Sequence, residues 1–324
     1  MARVALLSNP RSTGNRSLLP RVRSFCAAQK DIFHYEVEHV DQIGAALRTI
    51  ALVKPKVLVI NGGDGTVQAA LTEMHNGGHF GDSPPPVAVL PNGKTNLIAQ
   101  DLGAHGDPIS ALERVLEIAR ADVDPHIVQR ELIALSGDTP GGKPVLGMFL
   151  GGAGLAETIL YCRHKLYPLG IPNGLAHVLA LLLGLLGVLL GRRATFLPPR
   201  PIRLKVSVLR RGELNGQFAF LMVTTLQRLL LKSHMPGAEQ RVGAMQLLII
   251  DRSLKALLGA LVAAIRGRLG RTALTGVHLE RGDEIRIEGE PSSVLLDGEL
   301  FRADKEHPIV LKHTAPVPFL RLAA

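Results

Sequence analysis

The first third of the chain alternates short apolar runs with segments of helical spacing. Buried-type runs occur at Val4–Leu7, Val57–Ile60 and Val87–Leu90, and helical spacing occurs in segments such as Ile43–Leu52 and Pro108–Ala121. Strands and helices that alternate in this order favour a mainly parallel sheet with helices on both faces. The pattern therefore predicts a three-layer α/β domain, which we assign to residues 1–125.

After about residue 125 the pattern changes to strand-like runs separated by turn signals such as Gly141-Gly142. Helical spacing interrupts these runs twice, at about 153–191 and at Leu254–Leu269. The pattern predicts a second domain over residues 126–306, a mostly antiparallel β-sandwich with inserted helices. Residues 307–324 form a C-terminal tail that we expect to return to the first domain.

The most apolar stretch of the sequence, Val178–Gly191, carries no charge over 14 residues. This length falls short of the roughly 20 residues that a membrane-spanning helix requires. We interpret the stretch as a buried or interfacial helix, and Arg192 and Arg193 follow it.

Charge and cysteine content narrow the class of partner and the compartment. The 37 basic residues exceed the 28 acidic ones and give a net charge of +9, which favours an anionic partner. Nucleic acid is disfavoured because the sequence has neither a stacking platform of aromatic and basic residues nor finger-type Cys/His spacing. An anionic membrane surface suits the apolar composition better. The two cysteines are far apart in sequence, so we expect reduced thiols in a cytoplasmic protein.

The strongest chemical motif is the segment Asn61-Gly-Gly-Asp-Gly-Thr66, which we call the glycine loop. It follows a buried strand and precedes a helix. Glycines at such a turn let backbone N–H groups face an anion, and the helix N-terminus adds its positive dipole end. A carboxylate there, Asp64, is costly beside phosphates unless it meets Mg²⁺ or a ribose. The motif therefore predicts a nucleotide-phosphate site.

Two further loops follow predicted strands in the same way. The first loop, Asn9–Gly14, offers the small polar residues Ser12 and Thr13 before a helix. The proline loop, Pro91–Asn96, contains Gly93-Lys94-Thr95, but it is not a P-loop because Ala88 occupies the position of that motif's first glycine. Ligands in open α/β sheets bind at the carboxyl ends of strands, so both loops fit a nucleotide site.

A pair of acids lies late in the second domain, in the segment Leu295-Leu-Asp297-Gly298-Glu299. Phosphorylation of a hydroxyl group requires a carboxylate that accepts its proton. We predict Asp297 as this base and Glu299 as a supporting acid. Taken alone, the same residues are typical of a plain Asp-Gly hairpin turn.

Together these motifs resemble the diacylglycerol kinase catalytic-domain family, which includes bacterial lipid kinases, sphingosine kinases and ceramide kinases. The resemblance spans nearly the whole chain and implies a nucleotide domain and a lipid domain with the active site in the cleft between them. It also implies ATP and Mg²⁺ as cofactors, with Asp297 as the base. The nucleotide-binding residues that it indicates are Asn9, Thr13, Gly14, Gly62, Gly63, Asp64, Gly65, Thr66, Gly93, Lys94, Thr95 and Asn96. Asp64 and Asp124 are the metal ligands that we assign on this basis.

Three departures from the family pattern bear on the acceptor. A Thr of the family is Lys94 here, which can itself reach a phosphate, and an acid is Leu97. The stretch in which bacterial diacylglycerol kinases hold a structural Mg²⁺ reads Arg241-Val242-Gly243, without an acid. These departures favour a ceramide or sphingoid acceptor over diacylglycerol.

The expected protein is thus a cytoplasmic lipid kinase that associates peripherally with the membrane and meets its lipid at an anionic surface. The sequence is compatible with a homodimer. Two alternatives also stay open: a soluble phosphotransferase similar to NAD kinase, and a membrane-binding regulator that has lost catalysis.

Overall fold

A computed structural model gives the fold, and it describes residues 2–93, 95–137, 142–166, 179, 183, 203–227, 244–270, 273–289, 292–303 and 308–323. The chain divides into two compact units. The first comprises Met1–Ala134, Lys143–Met148 and Thr314–Ala324, and the second comprises Leu135–Gly142 and Phe149–His313. The first unit therefore extends beyond residue 125 and takes in the end of the chain.

Six strands form the sheet of the first unit: β1 (Val4–Ser8), β2 (Ile32–Glu36), β3 (Val57–Asn61), β4 (Val87–Val89), β5 (Ile127–Arg130) and β17 (Val317–Leu320). Their order is β2-β1-β3-β4-β17-β5. All neighbours pair in parallel except β17 and β5, which are antiparallel. Every residue of β1, β3 and β4 is buried, as expected for central strands of a parallel sheet. The predicted mainly parallel α/β domain is confirmed.

Five helices accompany this sheet: α1 (Asn15–Ala27), α2 (Ile43–Val53), α3 (Asp64–Gly77), α4 (Leu97–Asp101) and α5 (Pro108–Arg120). The sequence places this helix after the glycine loop, but helix α3 begins inside the loop, at Asp64. Gly63 takes the extended N-cap conformation, and a carboxylate in the first turn suits the positive end of the helix dipole. The glycine loop is consequently shorter than its sequence indicates, and its Asp64-Gly-Thr66 part is already helical.

The second unit is rich in antiparallel strands. Strand β6 (Ile133–Ser136) begins in the first unit and ends in the second, and β7 (Val145–Gly147) belongs to the first. The strands that lie wholly in the second unit are β8 (Phe149–Gly152), β9 (Arg203–Val208), β10 (Gly212–Thr224), β11 (Met245–Asp251), β12 (Val277–Gly282), β13 (Glu284–Gly289), β14 (Ser292–Leu296), β15 (Glu299–Ala303) and β16 (Ile309–His313). From β8 onward the sheet runs β15-β14-β8-β10-β9-β13-β16, and β11 pairs with both β10 and β12. The pairings are antiparallel, which confirms the predicted class of this part of the chain.

Two helices of the second unit lie among the described residues. Helix α6 (Ala153–Tyr161) continues into a π-helical turn over Cys162–Leu166. Helix α7 (Leu254–Ile265) packs small side chains against the sheet, where Ala256 and Ala260 join a core cluster with side chains of β10 and β11.

In the sequence the run Ile127–Leu135 has the pattern of one strand. In the structure this run forms two strands, β5 and β6, which are broken near Leu132, and the N–H of Leu132 donates to the hydroxyl of Thr314 over 3.0 Å. The apolar stretch Val178–Gly191 lies outside the described residues apart from positions 179 and 183. Within the part that is described, no helix has the length and apolarity needed to cross a membrane.

Candidate active site

The first loop, the glycine loop and the proline loop follow β1, β3 and β4, which are neighbours in the sheet. Buried side-chain amides join them. The side-chain amide of Asn9 donates to the hydroxyl of Thr66 over 3.0 Å, and that of Asn15 donates to the backbone carbonyl of Asn9 over 2.7 Å and to that of Asn61 over 3.0 Å. The first loop is thereby fixed against the glycine loop.

The proline loop is held by a third amide. The Nδ2 group of Asn92 donates to the Oδ1 atoms of Asn61, over 2.7 Å, and of Asn15. Asn61 in turn donates to the hydroxyl of Ser8 over 3.0 Å. Asn15, Asn61 and Asn92 are all buried. Their hydrogen bonds connect three loops that lie up to 77 positions apart in sequence. We call Asn9, Asn15, Asn61 and Asn92 the asparagine network.

Glycines allow the loops to approach closely at this point. A Cβ atom on Gly93 would lie 2.8 Å from the Cα atom of Gly63, and one on Gly14 would lie 2.6 Å from the backbone oxygen of Asn92. A Cβ on Gly62 would lie 2.6 Å from the Cβ atom of Thr66. At Gly93 and Gly14 the backbone of one loop therefore lies against the backbone of another, and such glycine-rich backbone can expose N–H groups to a bound anion.

The N-terminus of α3 supplies such groups. The hydroxyl of Ser12 accepts a hydrogen bond from the N–H of Gly63 over 3.2 Å and lies 3.5 Å from the hydroxyl of Thr66. Helix α3 runs for 14 residues from Asp64, so the positive end of its dipole and its first unbonded N–H groups lie at the glycine loop. An anion such as a phosphate is stabilised at a helix start of this kind.

Asp64 occupies the first turn of α3 and is partly buried. Burial raises the pKa of its carboxyl group to about 6, although the backbone N–H groups of Leu97 and Asn96 donate to the carboxylate and oppose this rise. Desolvation of the charged form thus outweighs the hydrogen bonds that stabilise it. A carboxylate in this state gains from a nearby cation.

The other predicted nucleotide residues have different environments. Thr13 is exposed, and Gly65 and Thr95 are partly buried. Asn96 has the left-handed conformation (φ 55°), and its Oδ1 atom accepts the N–H of Gly93 over 2.5 Å, so this side chain shapes the proline loop. Lys94 lies outside the described residues.

The two predicted metal ligands do not share a strand end. Asp64 follows β3, whereas Asp124 is exposed at the start of a 3-10 turn (Asp124–His126) that precedes β5. Strands β3 and β5 are three positions apart in the sheet, which corresponds to about 14 Å. The assignment of Asp124 as a metal ligand stays a prediction, whereas Asp64 lies at the glycine loop itself.

In the second unit, Asp297 and Gly298 form the two-residue turn between β14 and β15, and Leu296 pairs with Glu299. Both turn residues have positive φ, 46° and 96°, as in the primed turns of hairpins. Unlike the exposed acid of an ordinary hairpin turn, Asp297 is only 8% exposed. Its Oδ1 atom accepts the N–H of Phe149 over 3.0 Å, and its own N–H donates to the carbonyl of Phe149 over 2.8 Å. Glu299, by contrast, is exposed.

Mg²⁺ suits the acid present at the glycine loop. This ion keeps several waters and is held by one or two carboxylates together with substrate phosphates rather than by a cage of protein ligands. The described residues contain no group of three or more His, Cys, Asp or Glu side chains placed to bind a metal. The desolvated carboxylate of Asp64 beside an anion site is therefore a fitting ligand.

The chain is similar to known proteins in sequence and in fold. Residues 3–126 match the diacylglycerol kinase catalytic domain family. No curated protein matches the chain. The structure of a diacylglycerol kinase from Bacillus anthracis str. Sterne is similar over 98% of this chain and 96% of its own, with a TM-score of 0.61 at 14% identity. A candidate diacylglycerol kinase from the same organism is similar over 97% of this chain and 94% of its own, with a TM-score of 0.63 at 16% identity. The chain therefore has the fold of these proteins over nearly its whole length.

Proposed function

We propose that this chain is a lipid kinase that transfers the γ-phosphate of ATP to a hydroxyl group of ceramide or a related sphingoid lipid, because residues 3–126 match the diacylglycerol kinase catalytic domain family. Diacylglycerol is the next candidate acceptor. The observation that carries the nucleotide part of this proposal is the asparagine network, which brings three loops and the start of α3 together.

In this proposal the phosphates of ATP lie on the N–H groups of the glycine loop at the N-terminus of α3. The close approach of Gly93 to Gly63 supports it, because a Cβ on Gly93 would lie too close to the Cα atom of Gly63. Thr13 and Gly14 from the first loop and Thr95 and Asn96 from the proline loop would complete the site. Lys94 would add a cation beside the phosphates.

Mg²⁺, when bound, would neutralise part of the negative charge of the phosphates. Asp64 is the residue that we propose to hold it, since the carboxylate is desolvated and adjacent to the proposed phosphate site. The N–H groups of Asn96 and Leu97 orient this carboxylate, so the protein fixes where the ion's charge would lie.

For the transfer we propose Asp297 as the base. The acceptor oxygen forms a bond to the γ-phosphorus, the bond from that phosphorus to the bridging oxygen of ADP breaks, and the hydroxyl proton passes to the carboxylate. Its burial and its hydrogen bond to Phe149 support this role, because a fixed, desolvated carboxylate is a better positioned acceptor than a solvated one. Glu299, being exposed, has a supporting role at most in this scheme.

The preference for a sphingoid acceptor is supported by sequence alone. Leu97 and Val242 replace acids that bacterial diacylglycerol kinases carry, and Val242 lies outside the described residues. We further propose that the protein works in the cytoplasm at the membrane surface, where an insoluble acceptor lies.

The test is transfer of label from γ-radiolabelled ATP to ceramide, sphingosine, diacylglycerol and NAD, each offered separately. The proposal predicts label in ceramide or sphingosine, with less in diacylglycerol and none in NAD. Label in diacylglycerol above that in both sphingoid lipids would overturn the acceptor preference. Label in NAD alone would overturn the lipid acceptor altogether.

A further inference from the structure

Helix α7 presents four large aliphatic side chains to solvent, whereas its alanines and Leu257 pack against the protein. Ala256, Ala260, Ala263 and Ala264 are buried. Leu258, Leu261 and Val262 are each about two-fifths exposed, at 42%, 38% and 44%, and Ile265 is 73% exposed. A surface helix of a globular protein normally has the opposite arrangement, with its large apolar residues towards the core.

The exposed residues form one continuous stripe. Positions 258, 261, 262 and 265 are spaced i, i+3, i+4 and i+7, which places them on one face of an α-helix. At about 100° per residue, this face lies roughly opposite the alanine face that packs on Leu248 and Ile250. We call Leu258, Leu261, Val262 and Ile265 the aliphatic stripe.

Positive charge accompanies the aliphatic stripe. Lys255, Arg266 and Arg268 are exposed. Between positions 252 and 271 the sequence contains five basic residues and no acidic one. A helix with an apolar face and basic residues at its ends is suited to the boundary between acyl chains and anionic headgroups.

We propose that α7 docks the protein on an anionic lipid bilayer, with the aliphatic stripe among the acyl chains and the basic residues at the headgroups. This inference rests on the proposed function, because a lipid kinase needs access to an acceptor held in a membrane. The charges also argue against a second copy of the chain as the occupant. Paired by a two-fold axis, two such stripes would bring Lys255 and Arg266 of each helix together, with no acid on the helix to oppose them.

The experiment is flotation of the full chain with phosphatidylcholine vesicles, with and without added phosphatidylglycerol. The double variant Leu258→Ser/Ile265→Ser should lower binding to the anionic vesicles by about tenfold or more. The double variant Arg266→Gln/Arg268→Gln should lose about tenfold and most of the preference for anionic lipid. Leu52→Ser and Leu209→Ser are the matched controls, since both leucines are exposed elsewhere, at 83% and 54%. These two variants should bind like the wild type.

A second measurement separates this inference from the proposed function. On a short-chain acceptor dissolved as monomers, Leu258→Ser/Ile265→Ser should turn over like the wild type. If that variant floats with anionic vesicles as well as the wild type does, the docking inference is overturned. It is also overturned if the wild type floats equally well with and without phosphatidylglycerol. Neither result bears on kinase activity. A wild-type dimer that the variant splits into monomers in analytical ultracentrifugation also overturns it. Reduced flotation of the variant, with no lipid labelled even by the wild type, supports docking and overturns the proposed function instead.

Discussion

The side-chain amide of Asn9 donates a hydrogen bond to the hydroxyl of Thr66 over 3.0 Å, across 57 positions of sequence. Both residues are predicted nucleotide contacts, yet in the structure they also bind each other. Thr66 lies in the first turn of α3, so the bond fixes the first loop to the helix start at which we place the phosphates. Residues of the proposed binding site thus also organise it.

Replacement of Asn92 by alanine should destabilise the first unit. The change removes the donor to two buried acceptors, Asn15 Oδ1 and Asn61 Oδ1, and each unsatisfied group costs about 1–3 kcal/mol. We expect the free energy of unfolding in urea to fall by about 2–4 kcal/mol. Asn215→Ala, at an exposed position of β10, is the control and should change it little. Equal stability of the two variants would contradict the role given to the asparagine network.

Gly14→Ala should weaken ATP binding. The new Cβ would lie 2.6 Å from the backbone oxygen of Asn92, so the first loop and the proline loop must separate. We expect the dissociation constant for ATP, measured by equilibrium dialysis, to rise about tenfold, equivalent to roughly 1.4 kcal/mol. Gly137→Ala is the control, since a Cβ there would meet no described atom within 4 Å. Unchanged affinity in Gly14→Ala would show that the two loops need not lie this close to bind nucleotide.

Asp64→Asn should stabilise the nucleotide-free protein at high pH. The folded-state pKa of Asp64, about 6, lies above the ordinary value of 3.8. The contribution of this group is therefore fully present below pH 3.8 and is lost as the pH rises through about 6, because the folded protein must then hold a desolvated charge. That charge costs at most about 3 kcal/mol, and less to the extent that solvent screens it.

Urea unfolding at pH 8 and at pH 5, without Mg²⁺, measures this effect. Asp64→Asn should be more stable than the wild type at pH 8, and the difference should shrink at pH 5. Asp82→Asn, at an exposed position, is the control. Its difference in stability from the wild type should be the same at both pH values. A stability difference for Asp64→Asn that is independent of pH would show that desolvation of its charge is not the cause.

The positions of the three loops were predictable from sequence, because a parallel sheet brings the carboxyl ends of its strands to one edge. The asparagine network was not predicted. Asn15, Asn61 and Asn92 are ordinary loop and cap residues by type, and only the fold shows that they are buried together. Their position directly after apolar strands, or at the first residue of the next helix, was the available signal.

Helix α7 and Asp297 show two further properties that the sequence alone does not predict. The spacing of Leu257, Leu258, Leu261 and Ile265 predicts an apolar helix face, but spacing alone does not indicate whether that face is buried or exposed. Similarly, Asp297-Gly298 is a hairpin signal, and the hairpin is present. What the sequence cannot give is the burial of the Asp297 carboxylate, because it depends on Phe149, which lies 148 positions away.

The variant Asp297→Asn distinguishes a role of Asp297 as the catalytic base from a purely structural role in the hairpin. Asparagine tolerates positive φ and keeps an oxygen that can accept the N–H of Phe149, so the turn should fold as before. It cannot accept the hydroxyl proton. Asp297→Ala is the companion variant, which loses the hydrogen bond as well and should also be less stable.

Phosphoryl transfer by Asp297→Asn, with ATP binding measured on the same preparation, tests the account most directly. We expect the rate of label transfer from γ-radiolabelled ATP to the lipid acceptor to fall by about 10²–10⁴-fold, with the dissociation constant for ATP and the thermal midpoint close to the wild-type values. Transfer at the wild-type rate by Asp297→Asn would contradict the account, since the carboxylate would then be only a part of the hairpin.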